Sequence, residues 1–155
     1  GNKWQYISWA KSVDGVGDAK CLPLWNGAGT VKVIIVDSEK QLAGSELINK
    51  VQSYIDEQCP IGADVTVTTA TAVSINVTFS ADVDESTIES IKSNIRSYLR
   101  DVSFANGYVS YAKIGQTILN TDGVDDYSNL KINSKTENIA ISETEIAVLG
   151  GVAVG

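Results

Sequence analysis

The sequence contains no histidine and no methionine, and only two prolines and two cysteines. Without histidine there is no Ser-His-Asp or Cys-His arrangement, and a nucleophilic cysteine would need another base to form its thiolate at neutral pH. The hydrolase and transferase readings lose their usual machinery, so the expectation is a protein that is not an enzyme. With no histidine and no CxxC spacing between Cys21 and Cys59, the common structural zinc sites are excluded as well. The two cysteines are expected as buried free thiols, with a Cys21–Cys59 disulfide as the alternative. A chain lacking methionine cannot start at its own initiation codon, so it reads as a piece of a longer polypeptide. No apolar run approaches the roughly 20 residues that span a bilayer, and no charged and apolar pair of the secretory type opens the chain.

What is present describes a globular protein. Apolar residues make up 43% and charged residues 20% of the 155 positions. A chain of this length buries roughly 70% of its unfolded surface, enough for one ordinary domain or two small lobes. The net charge is −7 and the 12 basic residues are scattered, so neither a phosphate backbone nor an anionic membrane is attracted. No nucleic acid, membrane, small-molecule substrate or cofactor is expected as a partner.

Val31 to Val36 reads as a buried strand. Ser45 is expected to cap a helix whose apolar stripe is Leu47, Ile48, Val51, Tyr54 and Ile55, ending near Cys59-Pro60 because proline disfavours helical geometry in the residue before it. Val65, Val67 and Thr69 alternate as a third strand. The arrangement then recurs: Val73, Ile75, Val77 and Phe79 alternate along a strand, Asp84 or Ser86 caps, and Ile88, Ile91, Ile95, Tyr98 and Leu99 form the next helical stripe. One constant offset in residue number sets Leu47 on Ile91, Val51 on Ile95 and Ile55 on Leu99, and also sets Val31 on Ile75 and Val33 on Val77. This reads as a degenerate ββαβ-type duplication, or as two unrelated amphipathic strand–helix units that align by chance. Val109 to Leu119 suits a short helix, closed by Asn120 and a turn at Asp122-Gly123, and short strands follow at Leu130-Ile132, Asn138-Ile141 and Ile146-Leu149. The fold class is α+β, with helices packed on short mixed sheets. The expected division is a first lobe at 1–70 with an N-terminal aromatic helix and a second at 71–155 with a C-terminal β segment.

Gly15-Val16-Gly17 and Gly27-Ala28-Gly29 lack both the Lys-Ser/Thr ending and the third glycine of phosphate loops, and read as tight turns. Acidic residues at Asp82, Asp84 and Glu85 and at Asp122, Asp125 and Asp126 are better explained by a helix N-terminus and a turn than by calcium, which wants about six to eight oxygens from a compact loop. No metal site is assigned. The aromatic residues are more suggestive, because all three tryptophans fall within the first 25 residues. Trp4, Tyr6, Trp9 and Trp25 are the candidate partner interface, as Trp and Tyr anchor many interfaces. The competing reading has them close the end of the first lobe's core, and a carbohydrate- or receptor-binding platform is a third.

The run Trp9-Ala10-Lys11-Ser12-Val13-Asp14-Gly15-Val16-Gly17-Asp18-Ala19, followed by Gly27-Ala28-Gly29-Thr30-Val31-Lys32-Val33-Ile34-Ile35-Val36-Asp37, carries a family likeness. It continues through Pro60-Ile61-Gly62-Ala63-Asp64-Val65-Thr66-Val67, Tyr111-Ala112-Lys113-Ile114-Gly115, Gly123-Val124 and Val148-Leu149-Gly150. In order and spacing these segments resemble the middle and C-terminal part of the baseplate J-like proteins of contractile-tailed phages and prophages. The resemblance implies a structural wedge component of the tail baseplate, working through protein–protein interfaces with other baseplate and tail proteins and with copies of itself. It implies assembly in the bacterial host cytoplasm and a final place in the virion. A tailocin or other contractile injection particle is the alternative setting.

Overall fold

The computed structural model describes residues 2–155 and is α+β, as expected, with the chain divided into two compact units at Thr71/Ala72.

The first unit runs α1 (Lys3–Ser12), β1 (Val16–Pro23), β2 (Thr30–Asp37), α2 (Ser45–Gln58) and β3 (Asp64–Thr69). Strand β2 is central: β1 pairs with it antiparallel and β3 parallel, α2 making the crossover. The β-branched run Val33-Ile34-Ile35-Val36 suits a central strand, and all four residues are fully buried. Val33 and Ile35 share a core with Cys21, Val65 and Val67 from the flanking strands and with Tyr6, Ala10, Val51 and Ile55 from the helices. On α2 the buried positions Val51 and Ile55 lie one turn apart, with Leu47, Ile48 and Tyr54 packed beside them, so the expected stripe is present. Its cap is not as expected. Gly44 holds the N-cap position and Ser45 is the first helical residue, with no side-chain cap bond. The end at Cys59-Pro60 is as expected.

Gly17 solves a local problem. The register of β1 against β2 shifts between Val16 and Asp18, and at this bulge the backbone of Asp37 comes so close that a Cβ on Gly17 would strike the Asp37 carbonyl oxygen. Lys40 Nζ donates to the Gly17 carbonyl at 2.9 Å and lies 3.7 Å from Asp18 Oδ2, tying the following turn to the bulge.

The second unit is built from β4 (Thr71–Ser80), α3 (Glu85–Asp101), β5 (Tyr108–Val109), α4 (Tyr111–Leu119), β6 (Ser128–Ile132), β7 (Ile139–Ala140) and β8 (Glu145–Val154). Its main sheet has the order β6-β4-β8, and β5 and β7 form a separate two-stranded ribbon. Ile75, Val77 and Phe79 of β4 alternate into a core with Ile91, Ile95 and Leu99 of α3 and Ile114 and Ile118 of α4. The cap of α3 is Asp84, not Ser86: its side chain accepts the Thr87 N–H at 2.9 Å. Helix α4 starts two residues later than its apolar pattern suggests, because Ser110 accepts the Lys113 N–H and caps it, while Val109 belongs to β5.

The buried positions of β2–α2 and β4–α3 follow the constant offset noted in the sequence: Val33 and Val77, Ile35 and Phe79, Val51 and Ile95, Ile55 and Leu99 are each buried. The connections diverge after the helix. In the first unit α2 leads to a strand parallel with β2, whereas α3 leads to β5, which joins the separate ribbon.

Candidate functional site

Helix α1 is set by its N-terminus. Asn2 Oδ1 accepts the Gln5 N–H at 2.9 Å while Gln5 Oε1 accepts the Asn2 N–H at 3.0 Å, a reciprocal capping box. Tyr6, Ala10 and Val13, spaced at helical intervals, are then buried, which turns Trp4 to the opposite side. The four candidate aromatic residues therefore separate. Tyr6 is only 3% exposed and belongs to the core. Trp9 is half-buried against that core, its ring edge-on to Tyr6 at 5.4 Å and 89°. Trp4 is 73% and Trp25 44% exposed, and each carries a lysine ammonium over its ring: Lys3 at 5.9 Å and Lys32 at 4.9 Å.

Trp25 sits in the β1–β2 turn, where Leu24 takes a left-handed φ of 59° and Gly27 and Gly29 also have positive φ. Leu24 N–H donates to the Thr30 carbonyl at 2.7 Å, and the Thr30 hydroxyl donates to the Gly27 carbonyl at 2.7 Å, so the turn is a tied structure. The turn before β3 lies beside it, since Asp64 N–H donates to the Gly29 carbonyl at 3.0 Å. The start of α1 belongs to the same end of the unit, because α1 packs along β1 and joins its beginning through the short turn at 13–15, which leaves the other end of the helix near the end of β1. The Tyr6 hydroxyl is pushed up chiefly by burial, with smaller contributions from the charges of Cys59, at the end of α2, and Cys21, near the end of β1.

One end of the first unit therefore gathers Trp4, Leu24, Trp25 and Ile61, the last fully exposed and Leu24 67% exposed. Leu24 and Ile61 were not singled out from sequence. The available signal was an apolar side chain inside a proline–glycine turn, Pro23-Leu24-Trp25-Asn26-Gly27 and Pro60-Ile61-Gly62, where loops ordinarily carry polar residues.

Both cysteines are free thiols, Cys21 buried and Cys59 half-buried. The Cys21 thiol is pushed up by burial, with Lys3 opposing, so the thiolate needed for attack is disfavoured. Asp84, one of the acidic residues weighed for calcium, spends its carboxylate on capping α3. Among the described residues there is no group of three or more metal-ligating side chains, and no helix is long and apolar enough to cross a membrane.

Comparison with known proteins agrees along the whole chain. The model of the baseplate J-like central domain matches residues 1–69, and that of the baseplate J-like protein C-terminal domain matches residues 71–155. The chain is 38% identical over 166 residues to the phage-like element PBSX protein XkdT of Bacillus subtilis (strain 168), covering 99% of this chain and 47% of that protein. It is 24% identical over 165 residues to the baseplate protein gp47 of Escherichia phage Mu, covering 98% of this chain and 45% of that protein. The chain thus spans less than half the length of these curated relatives. Its fold is shared with a chain in the 6-fold symmetrised cryo-EM structure of the anti-feeding prophage (AFP) baseplate, with a TM-score of 0.69 at 7% identity, over 94% of this chain and 36% of that one.

Proposed function

The chain belongs to the baseplate J-like protein family, and from that premise we propose that it is a structural component of the baseplate of a contractile tail, phage or phage-like, acting through protein–protein interfaces. The observation that carries this reading is that the family's central and C-terminal domains together account for nearly every residue. The baseplate relative of phage Mu and the fold shared with the AFP baseplate support it.

Its role is non-enzymatic in this reading, and its partners are other baseplate and tail proteins together with copies of itself. Residues 1–70 and 71–155 act as two domains. Assembly takes place in the bacterial cytoplasm, and the protein ends in the tail baseplate. The exposed end of the first unit bearing Trp4, Leu24, Trp25 and Ile61 is the surface that meets a neighbouring subunit, since large aromatic and aliphatic side chains stand exposed there, Leu24, Trp25 and Ile61 on hydrogen-bonded turns and Trp4 on α1. Tyr6 and Trp9 support that surface from below.

The experiment is co-purification of the tagged full-length protein from cells expressing its native gene cluster, with mass spectrometry and negative-stain imaging. Recovery of tube, sheath or wedge proteins in a ring-like particle is the expected result. A monomer that brings none of them down overturns the reading. Carrying Trp4→Ala and Trp25→Ala through the same purification tests the surface: loss of partners from a folded variant is expected, and undiminished recovery removes that end of the unit from the interface.

A further inference from the structure

Strand β3 lies at the edge of its sheet, so the groups on its outer side face no further strand. One carbonyl and one N–H on that side are nevertheless taken, by a side chain from α2. Gln52 Nε2 donates to the Val65 carbonyl at 2.9 Å, and Gln52 Oε1 accepts the Val67 N–H at 2.8 Å. The same Nε2 donates to Asp56 Oδ1 at 3.0 Å, one turn further along α2, which fixes the orientation of the amide.

The second unit repeats the device with different parts. Strand β6 ends at Ile132, opposite Val77, while β4 extends back to Thr71. Asn133 takes a left-handed φ of 51°, and its side chain continues the ladder where the strand stops: Nδ2 donates to the Ser74 carbonyl at 3.0 Å and Oδ1 accepts the Asn76 N–H at 2.8 Å. The Asn133 backbone N–H donates to the Asn76 carbonyl at 2.9 Å.

In both places a primary carboxamide engages the carbonyl of one residue and the N–H of the residue two positions on, which is the pair an incoming strand would use. A carboxamide carries the donor and acceptor of a peptide group, so it replaces one residue of that strand. We propose that Gln52 and Asn133 are edge-closing residues, which keep β3 and β4 at Ser74–Asn76 from adding a strand of a second copy of this chain. Hydrogen-bond satisfaction alone does not require them, because solvent can serve an outer strand edge.

The test is the double variant Gln52→Ala/Asn133→Gly, in which glycine retains the backbone conformation at position 133. Native-state hydrogen exchange is expected to speed up at least ten-fold at the Val67 and Asn76 amides relative to Thr66, whose register partner in β2 is Lys32. At high protein concentration the variant is expected to form β-rich oligomers several-fold faster than the parent. An Ile55→Val control, which loosens the same helix with both carboxamides in place, separates edge exposure from general loss of stability. Unchanged exchange at Val67 and Asn76, or oligomerisation no faster than that of the control, overturns the proposal.

Discussion

The ammonium of Lys32 lies 4.9 Å from the centre of the Trp25 ring, on a turn whose backbone is tied at Leu24, Gly27 and Thr30. At an exposed site such a pair contributes about 0.5–1 kcal/mol, too little to account for a tryptophan held at 44% exposure on a loop. The pair orients the ring and leaves its surface available, whereas Tyr6, edge-on to Trp9, is buried in the core of the first unit. Four aromatic residues that look alike in sequence thus occupy two different environments.

That division predicts opposite outcomes on truncation. Trp4→Ala and Trp25→Ala are expected to change unfolding free energy by no more than about 1 kcal/mol, as exposed positions do. Tyr6→Ala, which empties a core position, is expected to lose roughly 3–5 kcal/mol. Urea denaturation of the three variants reads the difference directly, and a Trp25 variant as damaged as the Tyr6 variant would put both rings in the same structural role.

Gly17 is required by proximity rather than by φ. Any side chain there meets the Asp37 backbone, which cannot move without breaking the bulge and the turn that Lys40 ties to it. Gly17→Ala is expected to destabilise the protein by roughly 1–3 kcal/mol, the range of overpacking. Gly27→Ala offers the comparison: nothing lies near its Cβ position, and only its positive φ opposes the change. Thermal melts that rank the two variants the other way would show that the bulge yields.

The strands and helices were legible because their apolar residues recur at the right period and are buried where that period puts them, as Val51 and Ile55, and Ile91, Ile95 and Leu99, show. The caps were less legible, since Ser45, Asp84 and Ser86 are all good capping residues and only the path of the preceding backbone selects Gly44 and Asp84. The exposed end of the first unit is only half legible in the sequence. Trp4 and Trp25 stand out by type, while Leu24 and Ile61 are each marked only by an apolar side chain in a proline–glycine turn, and that they share one end follows from the pairing of β2 with β3, a relationship between residues far apart in the chain. The roles of Gln52 and Asn133 had no signal in sequence, because a polar residue on a helix or after a strand is ordinary until its partners are known.

Ile95 is fully enclosed between α3 and the second sheet. Ile95→Asp would bury a carboxylate with no partner there, at an expected loss of several kcal/mol. Ile95→Val, which only shortens the side chain, is expected to lose about 0.5–1.5 kcal/mol. A melting temperature unchanged by the aspartate would mean that α3 presents a different face.

The two thiols are expected to separate under labelling. Cys59 is half-buried at the end of α2, whereas Cys21 is buried and its thiol is pushed up by burial. Iodoacetamide on the native protein should therefore modify Cys59 first, with Cys21 protected until the first unit unfolds. Equal rates at both cysteines would show that the core around Cys21 opens without global unfolding.

Asp84 gives the pH dependence its sign. Its carboxylate accepts the Thr87 N–H and the Ser86 hydroxyl, both at 2.9 Å, and is held below its ordinary value, the Thr87 backbone bond being the largest cause. A depressed folded value means that the unfolded chain takes up the proton first as pH falls. The stabilisation is therefore complete above the ordinary carboxylate range and is lost as pH drops through the lower, folded value. Glu145, held down mainly by the Ser142 N–H, acts in the same direction. Asp84→Ala is expected to be less stable than the parent at neutral pH, and the gap is expected to close as urea melts are taken to pH values below the ordinary carboxylate range. A gap that stays constant or widens toward acid would mean that the cap does not act through its charge.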